Sequence, residues 1–431
     1  MSSPVQPPAD RARSGGVRPG QVLRNPKIWQ FPTVIVSLAV LLLSLFYMGG
    51  VVNPNAHLHR LPIGLVTVDR GAVLAGKQTD LGRRITDSIA TADAGKQASW
   101  RQLDRAAARQ QLASGKLYGV LEVPEDFTAS VAALVGASAP TPARPTLNVL
   151  TNPGVGSLAS SFASTINQTA AHQASLQLGK TLTAAPPGAS GPARLLLADP
   201  VTVTVKVGHP IGAHSGLGLT AFYYTLLLVL AGFMGGNVIS NGVDVGLGYA
   251  DSEIGPWHTR RPVVPINRTR TLIIKWAMSV AIAALTSGLI MLACVVILGV
   301  DASHLWLLWV FSFCATATVG LGTQAINAAF GGIGQLVTMF VFIVLALPSS
   351  GTTIPLEALP GFYRWLAVFE PMRQLGGGVR AILYFDARAE AGLTRAWIMI
   401  AIAAVLALAF GLAATSYYDR KGLHRMVPET A

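Results

Sequence analysis

Three groups of residues have types and spacings that chemistry could use. Gly71-Ala-Val-Leu-Ala-Gly76-Lys77-Gln78 follows a strand-like run and opens a helix-like one, the setting of a phosphate-binding loop. Such a loop cradles phosphates with backbone N–H groups and needs Ser or Thr after the lysine to hold magnesium. Gln78 stands there, so the segment reads as a plain turn and helix start. His57 and His59 are two apart, would share one face of a strand and have nitrogens that ligate metals. No cysteine or carboxylate cluster accompanies them, and they read as part of a solvated linker. Gln324 and Asn327 interrupt an apolar run just after Gly320-Leu321-Gly322. Amides and small residues there let helices pack closely and hydrogen-bond, or they line a polar path. Neither His-Glu-x-x-His nor Gly-x-Ser-x-Gly occurs. The expectation is a chain that is not an enzyme and needs no metal or cofactor.

The elements that hold these residues follow from composition. Of 431 residues 51% are hydrophobic and 12% charged, against roughly 25% charged in a soluble domain. Much of the chain therefore avoids water, which excludes a soluble enzyme, a disordered chain and a coiled coil. The net charge of +12 fits membrane topology and anionic headgroups better than nucleic acid. Cys294 and Cys314 both fall in apolar runs, so two buried thiols are expected and no disulfide framework.

A spanning helix needs about 20 apolar residues. Apolar segments at 28–51, 217–239, 276–300, 305–330, 335–349 and 396–418 predict six spans. The fourth and fifth come from one uncharged run, 305–356, divided at Gly331-Gly332-Ile333-Gly334. Gly235-Gly236 in the second span reads as a close helix contact. Basic residues mark the tail 1–27 (Arg11, Arg13, Arg18, Arg24, Lys27), the loop 240–275 (Arg260, Arg261, Arg268, Arg270, Lys275) and the tail 419–431 (Arg420, Lys421, Arg425). The positive-inside rule puts all three in the cytoplasm. Residues 52–216 then form an extracytoplasmic domain. Within it, 61–68, 117–123, 146–150 and 201–207 read as strands, and 74–92, 100–114, 126–135 and 157–183 as helices, the last a stalk toward the second span. Residues 137–144 and 186–192 read as loop and flexible linker. The fold class expected is a polytopic α-helical membrane protein, six transmembrane helices with a mixed α/β extracytoplasmic domain between helices 1 and 2. External residues 350–395 hold two segments too short to span, after Pro360 and Pro371. They fit amphipathic helices in the outer membrane surface, with Arg364, Arg373 and Arg380 near the headgroups, or an ordinary surface loop.

Four stretches carry a likeness: LPIGLVTVDRGA (61–72), LASGKLYGVLEVPEDF (112–127), PTLNVLTNPGVGSLASSF (145–162) and LPGFYRWLAVFEPMRQLGGGVRAIL (359–383). With the span pattern they resemble the permeases of the type-2 ABC exporter superfamily, most closely its phage-infection-protein (YhgE/Pip-like) branch. The resemblance implies a multi-pass permease of the cytoplasmic membrane with both termini inside. It implies a homodimer, or pairing with a related half-transporter, that exports a hydrophobic or cell-envelope substrate among membrane lipids. The power would come from a cytoplasmic ATP-binding subunit in trans, docking on the loop that holds Asp251, Glu253, Arg260 and Arg261. The other reading is an envelope scaffold, receptor or secretion accessory without pumping activity.

Overall fold

The computed structural model describes residues 24, 26–74, 76–92, 97–136, 144–184, 196–423 and 425. The basic residues expected at 11–18, the loop residues 137–143 and the linker 186–192 lie outside them. Helix α1 (Pro26–Val51) has no charged residue after Lys27 and is long and apolar enough to cross a membrane.

The following α/β domain is built on β1 (Leu61–Thr67), a small hairpin β2 (Ala72–Leu74) and β3 (Lys77–Thr79), α2 (Leu81–Ala92), β4 (Ala98–Gln102), α3 (Arg105–Leu112), β5 (Gly119–Val123), α4 (Phe127–Gly136), β6 (Thr146–Thr151), α5 (Ser157–Thr183) and β7 (Thr202–Val207). The sheet order is β4-β1-β5-β6-β7, parallel except where β5 meets β6. Helices on both faces explain the apolar centre of the sheet. Leu65, Leu121, Val123, Leu147 and Val149 pack with Ile85, Phe127, Val131 and Leu178 on one side. Val66 and Val120 pack with Ala108 and Leu112 of α3 on the other. Each such side chain contributes about 1.5–3 kcal/mol by leaving water. On the α3 face Glu122 is buried, and Arg105 answers it in bidentate geometry, Nη2–Oε1 2.8 Å and Nε–Oε2 3.1 Å.

Three readings of this domain are corrected. Residues 74–92 are not one helix: β2 and β3 pair antiparallel before α2 starts at Leu81. Residues 100–114 divide into the parallel edge strand β4 and α3, because Asp104 caps α3 by accepting from Ala107 N at 2.7 Å. Helix α5 is not a stalk. Its small residues Ala163, Ala171 and Ala174 are buried against the sheet, where larger side chains would hold helix and strands apart, and Ala159 packs into the core of the helical bundle.

The helical part comprises α6 (Thr220–Gly246), a hairpin β8 (Ser252–Ile254) and β9 (Trp257–Thr259), α7 (Arg268–Met291, prolonged by a π turn to Ile297), α8 (Leu305–Phe330), α9 (Gly334–Met339), a π turn at Phe340–Val344, α10 (Ala346–Ser349), α11 (Gly361–Leu366), α12 (Pro371–Tyr384) and α13 (Leu393–Arg420). Among the described residues five helical segments are long and apolar enough to cross a membrane, with Leu305–Ser349 as one of them. That run breaks at Gly331, whose φ of 61° is free to glycine, and Gly334 lies back against Asn327, so the chain reverses there. The loop expected over 240–275 is shorter, since α6 continues to Gly246 and α7 begins at Arg268. The close contact of α6 is made by Gly232 and Gly236, not by Gly235. A Cβ on Gly232 would lie 2.6 Å from Thr316 O, one on Gly236 2.9 Å from Thr323 Cγ2, and one on Gly235 would meet nothing within 4 Å.

Candidate functional site

Helix α12 positions the site. Pro371 at its first turn has no N–H to lose, and the Glu370 carboxyl accepts from Met372 N and Arg373 N, each at 2.9 Å. Burial pushes that carboxyl up to about 8, against the pull of the two N–H groups and of the Arg373 charge. Gln374 Nε2 donates to Ala367 O (3.1 Å) and Val368 O (3.0 Å), folding the end of α11 onto α12. Fourteen residues rise about 21 Å, short of the ~30 Å hydrocarbon layer. Helix α12 does not lie on a surface. Met372, Leu375, Val379 and Ile382 are buried, and Gly378 sits under the Phe311 ring, where a Cβ would come within 2.4 Å. Helix α11 is the exposed one of the pair, and Phe362, Trp365 and Phe369 form an outward aromatic row around it.

Between α8, α12 and α13 opens a cavity of about 400 Å³. Val319, Gly322 and Ile326 line it from α8, Leu375 from α12, and Ile400, Ala403 and Ala407 from α13, with Phe342 of the π turn alongside. Thr318 and Gln374 are its only polar side chains among the described residues, and no charge lines it. A water there would find too few partners, whereas an apolar chain would find continuous contact.

At the end of the bundle next to the α/β domain, α12 is locked to that domain. Tyr384 donates its hydroxyl to Ser215 O (3.2 Å) and accepts from Ala221 N (3.1 Å). His209 Nε2 donates to Tyr384 O at 2.8 Å, and its ring stacks on Phe385 with centroids 5.4 Å apart. The Phe385 ring fills a cleft between Gly115 and Gly154, where added Cβ atoms would lie 3.0 and 2.9 Å from it. Lys116 pairs with Glu390 at 2.5 Å. Tyr118 donates to Glu357 at 3.1 Å, its phenol held above its usual range by burial and then by that carboxylate. Arg380 is not at a surface: its Nη2 donates to Thr352 O at 2.8 Å inside the protein.

The residues singled out by sequence fall into separate places. Asp251, Glu253, Arg260 and Arg261 lie on or beside the β8–β9 hairpin, and all four are exposed. Asp251 faces His258 (3.5 Å) and Arg260 (3.6 Å), and Trp257 stands out from the tip. On α8, Asn327 Nδ2 donates to Asn237 Oδ1 of α6 at 2.9 Å. Gln324 is 1% exposed, and neither of its amide atoms has a partner among the described residues. Neither residue is brought to Asp251 or Arg260. The phosphate-loop lookalike is closed to any phosphate by the protein itself. Asp69 accepts from Gly82 N (3.0 Å), from Thr128 N (3.1 Å) and from the Thr128 hydroxyl, which in turn accepts from Leu81 N (2.9 Å). His59 is not a bare linker residue. Its Nδ1 donates to His57 O (2.9 Å) and its Nε2 accepts from Arg364 (2.7 Å), leaving no nitrogen for a metal. Sequence reasoning passed over Glu370 and Phe385. The Glu-Pro pair was a readable cap signal, whereas the glycine cleft around Phe385 has no local signature.

No curated protein and no solved structure matches the chain. Residues 33–403 match the family described as "Protein of unknown function (DUF3533)", a stretch that holds most of α1, the whole α/β domain, the junction and nearly all of the apolar cavity. By that match over most of its length, the chain belongs to the DUF3533 family.

Proposed function

We propose that the chain is the permease half of an exporter that moves a hydrophobic or envelope-building molecule outward, powered by a separate ATPase. In this reading it crosses the cytoplasmic membrane six times, α8 and the α9–α10 segment being the fourth and fifth crossings. Both termini and the β8–β9 hairpin are inside, and the α/β domain is outside. The observation that carries the reading is the uncharged cavity of about 400 Å³ between α8, α12 and α13, beside a helix too short to cross. An apolar passenger can occupy that space without stranding polar groups, and α12, tied to the outer domain through Phe385, can change its shape. The test is export of a fluorescent lipid from vesicles holding the chain and its co-purified ATPase. Ala403→Trp, which fills the cavity, should lower export about tenfold or more with the melting midpoint little changed; undiminished export ends the reading. Arg260→Glu with Arg261→Glu should release the ATPase, and intact association would remove the hairpin as its dock.

A second reading, an envelope scaffold or receptor, is favoured by a groove of about 310 Å³ on the α/β domain. Gln97, Trp100, Thr169, Gln173 and Gln177 line it, and the buried Trp100 Nε1 has no acceptor among the described residues. Gln173→Lys that abolished envelope-partner capture while leaving membrane lipid composition unchanged would favour the scaffold.

A further inference from the structure

The ends of α6, α7, α8 and α13 away from the α/β domain enclose another cavity, about 380 Å³, of opposite character. Lys275 is 7% exposed and pairs with Asp244 at 2.8 Å. Arg425 grips the same carboxylate with both Nη atoms, Nη2–Oδ2 being 2.8 Å, and stacks over Tyr249. Arg268 also lines the cavity, its Nε donating to Leu423 O at 2.8 Å. Three cations thus face one lining carboxylate. The nearby Asp419 is turned to the helix start, where it accepts from Arg268 N, Thr269 N and the Thr269 hydroxyl. Ser240, 8% exposed, lines the space with a buried hydroxyl that has no partner among the described residues and can donate into it.

Of the three cations only Lys275 is buried, Arg268 being half-buried and Arg425 exposed at the rim. A buried ammonium that shares its one carboxylate and an unanswered buried hydroxyl are both unfavourable unless something meets them. Asp244 uses one of the three donors of the Lys275 ammonium. Asp244, Lys275 and Asn327 lie within about two turns of the helix ends at Gly246, Arg268 and Phe330. In a membrane crossed by these helices that depth borders the headgroups, and basic pockets between spans suit phosphate-bearing headgroups. We propose that this cavity is a binding site for a phosphate group, with Lys275 and Arg425 supplying charge and the Ser240 hydroxyl a hydrogen bond. The proposal rests on the membrane-embedded bundle alone and stands or falls apart from the export reading.

The probes are phosphatidylglycerol, diacylglycerol with the same acyl chains but no phosphate, and inorganic phosphate. Each is mixed with delipidated full-length protein in mild detergent, and retained lipid is read by native mass spectrometry. Phosphatidylglycerol should be retained and diacylglycerol not, and Lys275→Met should weaken retention roughly tenfold. In that variant Asp244 keeps Arg425, so no carboxylate is stranded. Ser240→Ala, which breaks no internal bond, should weaken retention about threefold and serves if Lys275→Met does not fold. Inorganic phosphate that displaces the lipid and raises the melting midpoint over chloride identifies free phosphate as the ligand. Lipid retained against excess phosphate identifies the headgroup. Equal retention of both lipids, retention unchanged in the variants, or no response to either phosphate source overturns the proposal.

Discussion

Replacing Phe385 by Ala should loosen the junction between the α/β domain and the bundle, whose core the ring joins, while leaving the sheet core folded. The ring is 3% exposed, stacked on His209, and seated between the backbones of Gly115 and Gly154. Large-to-small changes of this kind destabilise by about 3–5 kcal/mol, least where the surroundings collapse into the space. Collapse is hindered here. Asn152 Nδ2 donates to Leu112 O and Leu117 O, each at 2.9 Å, and holds the two glycine loops in place. An effect of about 4 kcal/mol is therefore expected, which is close to a thousandfold in the equilibrium for opening. Phe385 is absent from the sheet core around Leu65, Leu121 and Phe127. Hydrogen exchange should then accelerate about a thousandfold in peptides covering 112–118 and 152–156, while β1 and β5 keep their protection. Phe385→Leu, which refills most of the space, should shift exchange by tenfold or less. Uniform acceleration through β1 and β5 would mean the ring supports the domain core itself. Unchanged exchange in the two loops would mean the contact carries no coupling; either result refutes the reasoning.

Gly232→Ala should destabilise the α6–α8 pair by about 1–3 kcal/mol through overpacking, whereas Gly235→Ala, facing open space, should be neutral or slightly stabilising; detergent melting midpoints compare them directly. Glu122 left buried without Arg105 is the costly state, so Arg105→Met alone should lower stability by up to about 3 kcal/mol, the exposed half of the arginine reducing the effect. The double change with Glu122→Gln should recover part of that loss in the same melts. Because Glu370 titrates near 8 in the fold against an ordinary 4.5, the fold favours its neutral form. Its contribution is complete below about pH 4.5 and is lost as the pH rises through 8. At ~1.4 kcal/mol per unit the loss is on the order of a few kcal/mol. Glu370→Gln should flatten the midpoint-versus-pH curve in that window, and a parallel curve would show that another group titrates there.

Much of the architecture was legible along the chain, because crossing a bilayer is a one-dimensional demand. A run of about 20 apolar residues meets it whatever its neighbours do, and α1, α6, α7, α8 and α13 announce themselves that way. Short apolar runs at 61–68, 117–123 and 146–150 marked three strands, the first two buried on both faces of the sheet, and alternation marked 201–207. The failures came where partners outvote local pattern. Residues 98–102 form a strand on the parallel edge that β1 offers, and 72–74 pair with 77–79 ahead of α2, whose first N–H groups Asp69 and Thr128 hold. The small residues of α5 suit an exposed stalk or a helix pressed on a sheet equally well, and packing chose the latter. Gly235 and Gly236 look alike in the sequence, yet one faces open space and the other faces Thr323. The pairing of Asp244 with Lys275 and Arg425, residues far apart in the chain, exists only once four helix ends converge. Composition and periodicity determine which segments leave water; which charges, rings and glycines then meet is decided by the tertiary structure, because burial is a property of a segment and contact is a property of a pair.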